Sequence, residues 1–514
     1  MFKPLLIEPE SGFSIDLSGM GIPAAEMEKL APRFAAAAAE MKKIEAGEIK
    51  NPDENRKVTH FGDRAEYTSS ALFAEVERFS EAVREGKIKS GTGKKFEALV
   101  VNGIGGSALG PQLMQFAING PYWNELSSER RCGALKIYFL DNTDSAEFAD
   151  LVEVMDPETT LQLIISKSGG TRETKNNMIA MEALYARRGL DFGANAVAVT
   201  MKGSDLDKHA REKNFLAVFE MAESIGGRTS ETAIVGHVPA TLCGIDFEKF
   251  LSGACAMDEW TRAEDPFANP AMILAAAWYL AGNGRGDRNM VIVPYSDRLV
   301  LLSRYLQQLV MESLGKELDL DGNVVHQGLN VFGNKGGTDA HAFIQQLNDG
   351  RDDFFATFIE VLTDAEKIPL DGGNVIGDYL HCFLAGLNRA LLKKGRRTIM
   401  IKIADLTEYE LGQIIALYER AVAIYAEFIR INAFHQPGVQ AYKKTATGVL
   451  ALYGALREFA GKNGGFSGSA ADFAQKIGAA DAAFEVGGLL DKEVFNSDGI
   501  GRRYENGDWI YFVK

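Results

Sequence analysis

Residues 98–111 read ALVVNGIGGSALGP and pass from a run of apolar residues into a loop rich in glycine and serine. Consecutive apolar residues bounded by glycine are typical of a strand that is buried on both faces of a sheet. The glycines that follow allow a tight turn, and a helix is expected after the turn. A buried strand that passes through a glycine-rich loop into a helix is the repeating unit of an α/β fold.

Similar apolar runs recur along the chain, separated by helical stretches. The first series of further strands is predicted at 135–140, 161–165, 194–200 and 215–219. A second series, after a helical region at 247–282, is predicted at 289–294, 329–332, 353–362 and 397–403, with a long helix at about 408–431. Buried strands that alternate with helices predict parallel sheets covered on both faces. We therefore predict an α/β protein with two three-layer αβα domains.

The predicted domain boundaries follow changes in this pattern. They give a helical N-terminal segment at 1–95, a first α/β domain at 96–245, a second α/β domain at 246–460, and a C-terminal appendage of two helices and a hairpin at 461–514. The appendage could form a winged helix, but it contains more acidic than basic residues. We therefore expect it to pack against the body of the protein rather than to bind DNA.

Composition and charge exclude several classes of function. The formal net charge of -15 disfavours nonspecific binding to nucleic acid or to an anionic membrane. No apolar run approaches the roughly 18 residues of a membrane span, and the N-terminus lacks a signal-peptide pattern. The four cysteines are scattered without a CxxC pair, which argues for a reducing compartment and against a structural zinc site. We expect a cytoplasmic protein.

Two loops rich in glycine and hydroxyl groups each lie between a predicted strand and a predicted helix. They read GIGGS at 103–107 and SKSGGT at 166–171. Backbone N–H groups at helix N-termini and in glycine-rich turns bind anions, and the second loop adds three hydroxyl groups and a lysine. Ordinary capped turns have the same composition. Two such loops after strands of one sheet favour a site for a phosphate group.

The first loop also fits the G-x-G-x-x-A fingerprint of dinucleotide binding. The acidic residue expected about 20 positions later is missing, because the nearest candidate, Asp141, comes much later. An oxidoreductase that uses NAD(P) is therefore an alternative, but it does not explain the second loop.

Gln308 and Glu312 lie four residues apart on a predicted helix and share one face. Glu312 is in the last turn before Gly315, where the negative end of the helix dipole should raise its proton affinity, as suits a general base. Arg228 follows two glycines in a turn that could bring its guanidinium into a cleft to stabilise an oxyanion. A surface ion pair at Arg228 would give the same pattern.

Together these motifs resemble the glucose-6-phosphate isomerase (phosphoglucose isomerase) family. The matching stretches are GIGGSALGP at 103–111, SKSGGTRET at 166–174, GGR at 226–228, QLVMESLGK at 308–316, GGTDAHAF at 336–343 and FHQPGVQAYK at 434–443. They occur in the order that the family has. The resemblance implies two sugar-isomerase-type α/β domains, a homodimer, and interconversion of glucose 6-phosphate and fructose 6-phosphate without metal or organic cofactor.

The resemblance also implies roles for individual residues. Glu312 would move a proton between C1 and C2 through a cis-enediol, and Arg228 would face the enediolate. His341, contributed by the neighbouring subunit, would be the acid or base that opens the ring, and Lys443 would lie near the ring oxygen. The implied phosphate-binding and substrate-lining residues are Gly106, Ser107, Ser166, Lys167, Ser168, Thr171, Gln308 and Gln436.

The chain departs from the family's usual residues at a few positions. Ala108 and His435 stand where the family commonly has an aspartate, Gly169-Gly170 replaces a bulkier pair, and Gln440 replaces a glutamate. These departures bear on the part of the site around Lys443 and on sugar selectivity. A non-catalytic sensor of sugar phosphates and an isomerase of another phosphosugar, such as mannose 6-phosphate, are further alternatives.

Overall fold

The structure is a computed structural model that describes residues 2–514, apart from the side chain of Gln440, so the departure at Gln440 lies outside the described residues. The chain forms two compact units that meet in sequence between His435 and Gln436. The larger unit contains both α/β sheets, whereas the predicted domain boundaries at 245 and at 460 stay predictions.

The first sheet has five parallel strands. In spatial order they are Lys136–Leu140, Ala98–Asn102, Thr160–Ile165, Ala196–Thr200 and Ala217–Glu220. The helices of this part of the chain are Ala71–Arg84, Leu109–Asn119, Ser145–Val154, Arg172–Arg187, Asp205–Glu212 and Ile234–Leu242. Neighbouring residues of one strand, such as Leu99 and Val100, enter separate hydrophobic clusters. The sheet is therefore buried on both faces, as its largely apolar strands predict.

The second sheet has six strands and is mixed. In spatial order they are Leu5–Ile7, Ser14–Asp16, Arg397–Ile403, Phe354–Val361, Asn289–Tyr295 and Val331–Phe332. The last four strands are parallel to one another, whereas Ser14–Asp16 pairs antiparallel with Arg397–Ile403. The N-terminal segment is helical as predicted, but it also supplies the two short edge strands. Runs of three residues are too short to show a period in the sequence.

Several helices surround the second sheet, and one of them, Glu408–Ile429, is buried along almost its whole length. They are Ala24–Glu28, Ala31–Glu45, His60–Tyr67, Phe247–Trp260, Pro270–Ala281, Leu302–Leu306, Ile344–Asp349, Ile376–Lys393 and Glu408–Ile429. Helix Glu408–Ile429 begins at a capping box formed by Thr407 and Glu410. Two hairpins complete this unit. One pairs Ile49–Asn51 with Arg56–Lys57, and the other pairs Lys316–Leu318 with Val324–Gln327. No helix among residues 2–514 is long and apolar enough to cross a membrane.

The smaller unit has its own apolar core, which includes Phe473, Leu490 and Tyr511. Its helices are Pro437–Lys462, Ala470–Lys476 and Ala483–Asn496, and its sheet pairs Ser467–Gly468 with Asp508–Val513 and the latter with Ile500–Glu505. The predicted hairpin turn is present, and Asn506 and Gly507 both have positive φ angles, 52° and 90°. Such angles are those of a type I′ turn.

Candidate active site

The two glycine-rich loops meet at the carboxyl edge of the first sheet. Strands Ala98–Asn102 and Thr160–Ile165 are direct neighbours, although another strand separates them in sequence. The strand order changes direction between them, and ligands of open α/β sheets bind at such a point. Helices Leu109–Asn119 and Arg172–Arg187 both begin at this edge, so their N-termini offer backbone donors to an anion. The expectation that the loops converge on one site agrees with this topology.

The second loop, 166–171, is held in shape by its own hydroxyl groups. Gly169 donates its backbone N–H to Ser166 Oγ at 3.1 Å, and Gly170 donates to Ser168 Oγ at 3.1 Å. Gly169 has a φ of 74°, and a Cβ at this position would overlap the backbone of Leu206. The glycine at 169 therefore has a local reason, because a bulkier residue would need the loop to move away from Leu206.

Lys167 of the same loop reaches residues 223–230, the Arg228 segment. Its Nζ donates to the carbonyl oxygens of Glu223 at 2.6 Å and Ile225 at 3.0 Å. Burial lowers the pKa of Lys167 to about 8, with a further contribution from Arg56. Lys167 therefore links the 166–171 loop to the Arg228 segment, a contact between distant segments that no local pattern predicts.

Gly106 brings the first loop against the Arg228 segment. A Cβ at Gly106 would overlap the carbonyl group of Gly227, so only glycine permits this approach of two backbones. Ser230 Oγ donates to Gly227 O at 2.7 Å and reaches Gly106 O at 3.4 Å. The two loops and the Arg228 segment therefore contact one another and form one connected surface, the floor of the site.

Arg228 and Glu312 form an ion pair at this floor. Arg228 Nη1 lies 2.8 Å from Glu312 Oε2, and Arg228 Nη2 donates to the carbonyl oxygen of His435 at 3.1 Å. The Arg228 side chain is 6% exposed and the Glu312 side chain 24% exposed. Burial lowers the pKa of Arg228, while Glu312 acts in the opposite direction. Gln308 Nε2 donates to Glu312 Oε2 at 3.3 Å, so the predicted shared face is confirmed.

The helix that carries Gln308 and Glu312 departs from the regular α-helix that its apolar period predicts. It continues from Leu302–Leu306 into a turn of π-helix at Gln307–Glu312. Single π-turns are uncommon in proteins as a whole, but those that occur are often found at functional sites. The apolar spacing that leads up to this turn fits a regular α-helix, so hydrophobic periodicity did not predict the π-turn.

Lys316, just beyond this turn, is a functional candidate that sequence reasoning missed. Its side chain is buried, and Nζ donates to the carbonyl oxygens of Glu312 at 2.7 Å and Ser313 at 2.8 Å. Burial, together with nearby Arg228, lowers the pKa of Lys316 to about 7. A basic residue at the C-terminal end of a helix was the available signal, because such residues bond to the last carbonyl groups.

Arg56 is a second residue that the sequence did not point to. Its guanidinium donates to the carbonyl oxygens of Ser224 at 3.3 Å and Phe434 at 2.9 Å. The next residue along the chain from Phe434, His435, pairs through Nδ1 with the carboxylate of Asp53. The hairpin of the N-terminal segment thus joins the Arg228 segment to the chain around His435.

His341, Lys443 and Gln436 are the remaining predicted residues. His341 lies in a turn at Thr338–His341 and is exposed; among the residues that the structure describes, its side chain forms no hydrogen bond or ion pair. Lys443 and Gln436 belong to the smaller unit, in which Gln436 precedes helix Pro437–Lys462 and Lys443 is an exposed residue of that helix.

Comparison with known proteins gives the family. A model of phosphoglucose isomerase matches residues 23–380. The chain is 47% identical over 461 residues to a glucose-6-phosphate isomerase of Thermosynechococcus vestitus, covering 87% of this chain and 85% of the relative. It is 44% identical over 493 residues to that of Geobacter sulfurreducens, covering 93% and 91%.

Solved structures agree with this assignment. A glucose-6-phosphate isomerase from Chlamydia trachomatis superposes with a TM-score of 0.76 at 26% identity, covering 87% of this chain and 90% of that chain. A hypothetical protein from Thermus thermophilus superposes with a TM-score of 0.71 at 26% identity, covering 85% and 100%. This chain belongs to the glucose-6-phosphate isomerase (phosphoglucose isomerase) family.

Proposed function

We propose that this enzyme interconverts glucose 6-phosphate and fructose 6-phosphate by ring opening followed by proton transfer through a cis-enediol. The contact that carries the proposal is the ion pair between Glu312 and Arg228 beside the two anion-binding loops. Aldose–ketose isomerisation needs one base that can reach two adjacent carbons and a cation for the oxygen on which charge develops. The carboxylate and the guanidinium meet these two needs.

Glu312 is proposed as the base that carries the proton between C1 and C2. Its carboxylate is partly exposed, so a substrate can reach it, and Gln308 holds one of its oxygens. Arg228 is proposed to stabilise the enediolate. A buried guanidinium that is already oriented by Glu312 and by the His435 carbonyl needs little rearrangement when charge develops on the substrate.

The substrate phosphate is proposed to bind at the loops 103–107 and 166–171. The helix N-termini at this edge supply N–H donors, and Ser107, Ser166, Ser168 and Thr171 supply hydroxyl groups. An ammonium group has three donors, and Lys167 uses two of them on backbone carbonyls. One donor and the positive charge are therefore left for the phosphate. Gly106 is proposed to line the site through its backbone.

His341 is proposed to open the ring in a site of the neighbouring subunit of a homodimer. Its turn packs beside helix Ile376–Lys393, since a Cβ at Gly337 would lie 3.7 Å from Leu380. This helix exposes several large apolar side chains: Ile376, Tyr379, Leu380, Phe383 and Leu392. Exposed apolar surface of this kind marks interaction sites. An exposed histidine beside such a surface fits a residue that acts across a subunit boundary.

The roles of Lys443 and Gln436 are proposed from the resemblance of the 434–443 stretch to the family. Lys443 is proposed to lie near the ring oxygen and Gln436 to contact the substrate. We further propose that the enzyme is cytoplasmic and that the reaction needs no metal or organic cofactor.

The test is a coupled assay of the purified enzyme on glucose 6-phosphate, mannose 6-phosphate and glucosamine 6-phosphate, each with and without a chelator. We expect turnover of glucose 6-phosphate that the chelator does not reduce and that added NAD(P) does not change. Turnover of mannose 6-phosphate alone would instead assign another phosphosugar. Binding of sugar phosphates without turnover would favour a sensor.

A further inference from the structure

Lys316 is buried beneath the residue proposed as the base. Its ammonium donates to the carbonyl oxygens of Glu312 and Ser313, at the end of the π-turn Gln307–Glu312. The last carbonyl groups of a helix have no partner within the helix, and leaving such groups buried without a partner is unfavourable. Lys316 supplies the missing donors from a buried side chain.

We propose that Lys316 is a positioning residue for Glu312: it holds the π-turn in register so that the carboxylate faces Arg228. The proposal rests on the proposed function, in which Glu312 is the base. The argument is geometric. If the π-turn relaxes into a regular α-helix, Glu312 shifts by one position, and one residue in an α-helix corresponds to a rotation of about 100°. Such a rotation would carry the carboxylate away from the guanidinium.

Lys316 also contributes charge to the site. The charged and titratable groups that face it are Arg228, Glu312 and His435, the last paired with Asp53. The neighbouring strand Val324–Gln327 adds only the exposed His326.

These contacts predict a specific effect of removing the ammonium. Misplacement of Glu312 slows proton transfer but leaves phosphate binding intact, so kcat falls while KM changes little. A residue that only stabilises the fold would not change the ratio of the two constants in the folded protein.

The experiment measures kcat and KM for fructose 6-phosphate in Lys316→Met, Lys316→Arg and the wild-type enzyme. Lys249→Met is the matched control, because Lys249 pairs with Glu408 at the surface and is far from the site in sequence. We expect Lys316→Met to lower kcat on the order of 100-fold, the effect of misplacing a reacting group by about 1 Å, with KM within about two-fold. Lys316→Arg should recover part of kcat.

An unchanged kcat in Lys316→Met, or a loss of kcat accompanied by an equal loss of substrate affinity, overturns the proposal. If the wild-type enzyme itself isomerises none of the phosphosugars, the proposed function fails instead. In that case the crystal structure of Lys316→Met decides the positioning role. Loss of the Glu312–Arg228 contact supports it, and an intact contact with an intact π-turn overturns it.

Discussion

Arg228 Nη1 and Glu312 Oε2 lie 2.8 Å apart, although Arg228 follows the last strand of the first sheet and Glu312 lies on a helix that follows a strand of the second sheet. The ion pair therefore joins the two sheets within one unit of the chain. It also leaves the carboxylate partly open to a ligand.

Glu312→Gln should remove proton transfer without removing substrate binding. The amide keeps the shape of the side chain but cannot accept the proton from carbon, so we expect kcat to fall by on the order of 1,000-fold or more. Binding of fructose 6-phosphate, measured by titration calorimetry, should persist. Glu317→Gln, which alters an exposed glutamate on the following strand, is the control and should keep wild-type turnover. Near-normal turnover in Glu312→Gln would falsify the assignment of the base.

Arg228→Lys should fail although the charge is conserved. The guanidinium bonds to Glu312 and to the His435 carbonyl at the same time, and a lysine cannot reproduce this planar two-point contact. We expect kcat to fall about 100-fold or more, as for loss of one donor that stabilises an oxyanion. The coupled assay measures this, and circular dichroism checks that the variant is folded. A variant with unchanged kcat would show that the charge alone is sufficient.

Gly106→Ala should separate the first loop from the Arg228 segment. The added Cβ would overlap the carbonyl group of Gly227, and both partners are backbone, so neither can rotate away. We expect a large loss of kcat/KM for glucose 6-phosphate. Gly62→Ala is the control, because an added Cβ at this exposed helical position meets no atom within 4 Å. Equal activity of the two variants would contradict the close approach of the loops.

A hybrid enzyme tests whether His341 acts in the neighbouring subunit. His341→Ala and Glu312→Gln should each be weakly active as homodimers. Co-expression of the two variants should restore activity if His341 crosses the subunit boundary, because a mixed dimer then has one site with both native residues. If both residues come from the same chain, each site of the mixed dimer lacks one of them, and activity stays low. The measurement is the turnover of the separated mixed dimer.

Substrate affinity should depend on the charge of Lys167. Its pKa of about 8 means that the ammonium is charged below pH 8 and becomes neutral as the pH rises through this value. The phosphate group stays dianionic in this range, so its attraction to the site weakens and KM should rise between pH 7 and 9.5. We expect a change on the order of ten-fold, which corresponds to about 1.4 kcal/mol. In Lys167→Met the KM should be high throughout and nearly independent of pH; a profile like that of the wild type would exclude Lys167 as the cause.

The predicted parts of the site follow from patterns that lie within short stretches. The strands before Gly103 and before Ser166 are mostly apolar, and their glycine and hydroxyl loops follow at once. Gln308 and Glu312 share a face because they are four residues apart on a helix, and the observed hydrogen bond agrees. Each of these inferences needs only local spacing, which the chain carries without reference to any distant residue.

Contacts between distant stretches had no such signal. The bonds of Lys167 to the 223–225 carbonyls and of Arg56 to Ser224 depend on which backbone groups remain without partners after the sheets and helices have packed. The two edge strands at Leu5–Ile7 and Ser14–Asp16 were missed for a related reason, because a three-residue strand is stabilised by the sheet that it joins.

The amino-acid sequence by itself determined the α/β class, the two loops at strand ends and the helix that carries Glu312, since apolar period and turn residues act over a few positions. The tertiary structure alone decided that this helix ends in a π-turn supported by Lys316 and that the carboxylate meets Arg228. An ion pair between remote segments forms only when packing brings them together and removes water from around the charges, and no local pattern reports that event.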